Sequence, residues 1–89
     1  MSQQVWKFEI PECDAFNINA PGEIKWLDAQ VEHGIPFVWG VVSTDSPPIS
    51  HVLFLRGTGH PFTGQEGDHI GSFQLDNGAL VFHLFEEAQ

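Results

Sequence analysis

His69-Ile70-Gly71-Ser72-Phe73-Gln74-Leu75-Asp76-Asn77-Gly78-Ala79-Leu80-Val81-Phe82-His83-Leu84-Phe85-Glu86 is the stretch whose reading decides the fold. Asn77-Gly78 suits the two positive φ angles of a type I′ turn, the connection that matches the twist of paired strands. On that turn Leu75 opposes Leu80, Phe73 opposes Phe82 and Gly71 opposes Leu84, so one hairpin face is core. The other face sets Ser72 against His83, Gln74 against Val81 and Ile70 against Phe85. Working outward, Phe62–Asp68 is polar and glycine-rich and is expected to be a mobile flap with Phe62 as its only anchor. His51–Leu55 reads as an apolar strand, and Ser43–Ser50, with Pro47-Pro48, as a loop.

Phe37–Val42 is apolar on both faces and is expected to be a central strand covered on both sides, one cover being another subunit. Ile24–Val31 precedes it. Glu32-His33-Gly34 is expected to form a three-residue loop, pairing Val31 with Ile35, Ala29 with Phe37 and Leu27 with Trp39; a two-residue loop would instead set Gln30 against Phe37 and Asp28 against Trp39. Val5–Ile10 alternates with Trp6, Phe8 and Ile10 on one face, and Pro11 ends it. Glu12–Asn19 is weakly strand-like and Pro21-Gly22 forms a turn. No window supports a helix. The expectation is one all-β domain over residues 1–89: an antiparallel open sheet or half-barrel of five or six strands, forming a homo-oligomer through an apolar face.

The chain has 12 acidic residues against Lys7, Lys25 and Arg56, a formal charge of −9 and a sequence pI near 4.6. That balance disfavours direct binding to nucleic acid or to an anionic membrane, and it suits a basic partner. Cys13 is the only cysteine, so no intramolecular disulfide is expected; with no leader pattern and no apolar run of membrane-spanning length, a cytoplasmic location is expected. Cys13 has no sequence neighbour that would activate it.

Arg56-Gly57-Thr58-Gly59-His60-Pro61 is the candidate site. Two glycines around a threonine allow consecutive N–H groups to converge, and a guanidinium beside them suits a phosphate or carboxylate. The competing reading is a glycine turn that ends a strand. The motif is neither a P-loop nor a dinucleotide fingerprint. An aromatic such as Phe62 would stack on a base, giving Arg56, Gly57, Thr58, Gly59, His60 and Phe62 as the ligand-binding set. His33, His51, His60, His69 and His83 lack paired ligand spacing, so no metal site is expected. No serine, cysteine or threonine lies in a nucleophile-elbow context, so neither catalysis nor a cofactor is expected.

Val5-Trp6-Lys7-Phe8-Glu9-Ile10, Gly57-Thr58-Gly59-His60-Pro61, Ile70–Leu75 and Gly78–Glu86 together resemble a family of small proteins from bacteriophages, prophages and actinobacteria. The resemblance covers nearly the whole chain and implies a phage context, in which small proteins interfere with host processes by binding. Two mechanisms follow as expectations. In the first, which the Arg56–Pro61 stretch favours, the protein sequesters an anionic, nucleotide-like signal of bacterial defence; in the alternative, its acidic surface docks on a basic surface of a host protein as a nucleic-acid mimic would. A structural, virion-associated oligomer is a third.

Overall fold

Apolar residues in runs of five to eight, broken by Gly and Pro, are the lengths of strands. The computed structural model, which describes residues 2–88, contains seven of them: β1 (Gln3–Glu9), β2 (Ala15–Pro21), β3 (Lys25–Glu32), β4 (Ile35–Ser43), β5 (Pro48–Gly57), β6 (Glu66–Leu75) and β7 (Leu80–Glu87). They form two antiparallel sheets, ordered β1-β4-β3 and β2-β5-β7-β6. The all-β class therefore holds, with two sheets in place of one and one strand more than expected. The additional pairing is that of the weakly patterned β2, whose Ile18 and Ala20 enter the core while the strand pairs with β5 from Ala15↔Phe54 to Pro21↔Pro48.

The sheets pack face to face in a slab with principal extents of 42 × 31 × 16 Å, two layers deep. Ala29, Val38 and Val42 of the first sheet meet Ile18, Leu53, Leu55, Phe73 and Leu84 of the second. The layers also approach edge to edge where β3 packs against β6. Gly71 makes that approach possible: a Cβ there would lie 2.8 Å from Ala29 N and 3.0 Å from Asp28 Oδ1. Trp26 Nε1 donates to Glu86 Oε2 at 3.1 Å, a polar tie from one sheet to the other.

The β6–β7 register is as read from Gly71↔Leu84 to Leu75↔Leu80. Asn77 and Gly78 both take positive φ (54° and 89°), and Ala79 N donates to Asp76 O at 3.0 Å to close the turn. Beyond Gly71 the expected Ile70–Phe85 pair is replaced by His69↔Phe85, because the ladder is irregular there. Hence His69 and Ser72 share the outer face.

The β3–β4 hairpin corrects the three-residue loop. Glu32 pairs with Ile35, Gln30 with Phe37, Ala29 with Val38 and Asp28 with Trp39, around a two-residue turn with His33 at φ 52° and Gly34 at φ 80°. Because β4 is apolar on both faces, its inward set is Val38, Gly40 and Val42, and Phe37 and Trp39 point outward. A register irregularity at Leu27 then leaves that side chain exposed. The inner face of β4 is covered by the second sheet; within this chain its outer face is not. β5 also begins earlier than expected, at Pro48, the first strand position, where a missing N–H is tolerated.

Gly71→Ala should cost about 1–3 kcal/mol through overpacking against the β3 backbone. A urea unfolding midpoint lowered with an unchanged denaturant slope is the expected result.

Candidate functional site

A lone arginine at the end of an apolar strand faces two demands: its charge must be solvated or paired, and its fork of donors must be filled. Both are met internally. Arg56 Nε donates to Glu66 Oε2 at 2.6 Å, and Arg56 Nη1 donates to Asp14 O at 3.0 Å and Leu55 O at 3.3 Å. The Glu66 side chain is fully buried and that of Arg56 is 12% exposed. Glu66 also accepts from Thr63 N, Thr63 Oγ1 and Gly64 N, so one carboxylate gathers the loop, β5 and β6 at a single point. Burial by itself raises the Glu66 pKa. The hydrogen bonds from Thr63 N and Arg56 outweigh it and bring the pKa from 4.5 to about 2. The expected flap is thus anchored by Glu66; Phe62 is 63% exposed, with its ring edge-on to Phe85 at 5.3 Å.

The glycine turn is likewise occupied by its own chain. Gly57 N donates to His60 Nδ1 at 3.1 Å, Thr58 N to Val81 O at 3.0 Å and His60 N to Gly57 O at 2.9 Å. Three amides of the presumed anion cradle therefore serve the turn. Gly59, at φ 92°, stands at its exposed tip. Arg56 and His60 line one wall of an open cleft of about 460 Å³, with Asp14, Phe54, Pro61 and Thr63. Of the six expected residues, Arg56 and His60 meet at this cleft, while Phe62 stacks elsewhere and Gly57 and Thr58 face a separate hollow beside Val81.

The structure also assembles a constellation that the sequence reading missed. On the outer face of the second sheet, Ser72 Oγ lies 2.9 Å from His69 Nε2 and 2.8 Å from His83 Nδ1; His83 Nε2 lies 3.1 Å from Thr58 Oγ1. The Ser72–His83 register was the available signal. The fourth member comes from a loop, and the sequence carries no period for it. The row orders side chains on an exposed surface, and the far nitrogen of His83 meets a hydroxyl, where a hydrolytic triad places a carboxylate to stabilise the imidazolium. Among the described residues no group of three His, Cys, Asp or Glu side chains is arranged to hold a metal ion. His51 is buried and bonded to Gly22 O at 3.0 Å.

A different concavity opens at the end of the slab that carries the β3–β4 and β6–β7 turns. It has a volume of about 260 Å³ and lies between the sheets, walled by Ile10, Pro36, Leu55, Phe73 and Phe82 under the Glu12-Cys13-Asp14 rim. Cys13 is exposed there as a free thiol.

The chain belongs to the family described as a domain of unknown function (DUF7352), whose model matches residues 1–89. No curated protein and no solved structure matches it. No helix among the described residues is long and apolar enough to cross a membrane.

A group whose folded pKa is depressed contributes stability above its unfolded value and loses it as pH falls through the folded value. Glu66 should therefore stabilise the fold fully above pH 4.5 and progressively less down to about pH 2. Glu66→Gln should be less stable than the parent at pH 7, and the gap between their unfolding midpoints should close across that interval. Thermal unfolding followed by circular dichroism from pH 7 to 2 measures it.

Proposed function

We propose that this protein acts by binding, without turnover, and that its partner is a basic surface of another protein. In the phage context that the sequence resemblance implies, the partner is a host protein whose working surface the acidic chain blocks. The observation that supports this reading is the partition of charge. Arg56, the only arginine, is neutralised by buried Glu66. Lys7 and Lys25 both lie on β1 and β3 of the first sheet. Ten of the remaining acidic side chains are exposed, among them Glu12, Asp14, Glu23, Asp45, Asp68 and Glu87. A surface so depleted of cations attracts cationic patches at long range and repels nucleic acid.

The first sheet's outer face is assigned to a second copy of the chain. Exposed Val5, Leu27 and Ile35 lie there with Phe37, Trp39 and Val41, and Lys7 and Lys25 against Glu9, Asp28 and Glu32 leave that face one net negative charge in a molecule of −9. Lys7 is held over the Phe37 ring at 4.4 Å and paired with Glu32 at 3.0 Å. Charge repulsion between two copies is small across this face. It provides the cover that an apolar outer side of β4 calls for.

Sequestration of an anionic, nucleotide-like small molecule stands as the second reading, favoured by Arg56 and His60 sharing a cleft with the Phe54 ring. Its weakness is electrostatic. The arginine that would hold the anion already holds Glu66, and Asp14 lines the same wall.

The two readings separate by salt and by mass. The protein should retain a host protein whose affinity, remeasured with purified partner, falls at least tenfold between 50 and 500 mM salt. Native mass spectrometry should show an oligomer without a small-molecule shift, and Ile35→Asp should convert it to monomer. A retained species of a few hundred daltons, lost on His60→Ala, would instead establish the small-anion reading. Arg56→Ala is a poor discriminator, because it also strands the buried carboxylate.

A further inference from the structure

An interface formed by charge alone has no register; what fixes one is usually an apolar anchor in a desolvated pocket. The hollow between the sheets meets that requirement. It reaches the apolar interior at Leu55, Phe73 and Phe82, residues that also pack the two layers together. Leu80, at its mouth, is 48% exposed, an unusual position for a leucine on the inward-facing side of a hairpin. At about 260 Å³ it falls below the roughly 300–1,000 Å³ of sites that enclose a whole drug-sized ligand. It has room for one large side chain.

The rim gives the chemistry of the rest of the ligand. Glu12 and Asp14 are the ionisable carboxylates of the lining, and no basic side chain lines it. Glu9 and Asp76, both exposed, directly adjoin the lining residues Ile10 and Leu75 in the chain. Arg56 reaches Asp14 only at its carbonyl oxygen, and its charge is cancelled by Glu66. An apolar floor under an acidic rim selects an apolar group carried next to a positive charge.

We propose that this hollow is the socket for a basic–apolar peptide segment of the partner protein. One bulky aromatic or aliphatic side chain enters between the sheets, and a neighbouring lysine or arginine meets Glu12 and Asp14. The proposal rests on the basic-partner reading and adds to it an anchor and a place.

The test uses the full chain and a fluorescein-labelled peptide with one tryptophan flanked by lysines and arginines, compared with its Trp→Ala counterpart. The tryptophan peptide should bind at least tenfold more tightly than the alanine peptide. It should slow alkylation of Cys13 at the rim. Glu12→Gln and Leu80→Asp should each weaken it severalfold, with circular dichroism confirming that both variants fold. Glu12 is exposed and Leu80 is half exposed, so neither substitution empties the core. Equal, salt-sensitive binding of the two peptides, with Cys13 unprotected, would overturn the socket while leaving the basic-partner reading standing. Binding of neither peptide would overturn the socket and count against that reading as well. A neutral tryptophan peptide binding as tightly as the basic one would overturn the role of the rim.

Discussion

Glu66 is a carboxylate removed from water, and the fold around it is arranged to make that tolerable. Four donors from two segments converge on it: the Arg56 guanidinium from β5, and Thr63 N, Thr63 Oγ1 and Gly64 N from the loop. Each alone would be a modest hydrogen bond; together they hold the group ionised with a pKa near 2, against a burial effect that works the other way. The same arginine reaches back to Asp14 O, and Leu55 N donates to that same carbonyl. The connection that carries the chain from the first sheet to the second is thereby tied to the centre of the second. Much of the loop geometry at both the glycine turn and the β1–β2 rim follows from where this pair sits.

The Arg56–Glu66 pair also decides what the surface can do. A protein with three basic residues has few ways to hold an anion, and here the most capable one is spent internally. What remains is a set of exposed carboxylates, most of them in turns and at strand ends, and a face on the outer side of β1, β4 and β3 where both lysines and a row of apolar side chains lie together. Two surfaces of opposite character result. One repels copies of itself and attracts cations; the other is nearly neutral and apolar.

The fold was legible where a local rule left no choice. Asn77-Gly78 admits one common turn, the turn fixes a register, and the register of β6 and β7 agrees with the apolar pattern on one face. The β3–β4 hairpin shows the limit of that logic. His33-Gly34 makes the same kind of turn, but His33 in a left-handed conformation is a weaker signal than asparagine, and β4 supplies an apolar set to either face. Phe37 and Trp39, as the larger side chains, look like the core set; the space between the sheets instead takes Val38, Gly40 and Val42, because Trp6, Phe8 and Trp26 already occupy that layer. Burial of bulk on one strand was decided by bulk on its neighbours, which a strand-by-strand reading does not contain.

The candidate site was legible in position and not in role. Arginine followed by Gly-Thr-Gly has the composition of an anion cradle and equally that of a strand end with a buried ion pair. What separates them is the carboxylate ten residues on, in a segment whose glycines and polar residues read as mobile. Glutamate in such a segment is ordinarily solvated; here the segment folds over it, and the charge that would have been its reason to stay in water becomes the point on which the loop closes. The apolar hollow had no sequence signature of its own either, since its walls are ordinary apolar residues: Ile10 after β1, Pro36 of β4, and side chains of β5, β6 and β7. It exists because the β1–β2 connection, stiffened at Pro11 and held at Asp14, crosses from one sheet to the other without filling the space beneath it. A cavity of this kind is a property of how two sheets end, and the acidic residues at its edge are found to lie together only when that end is seen.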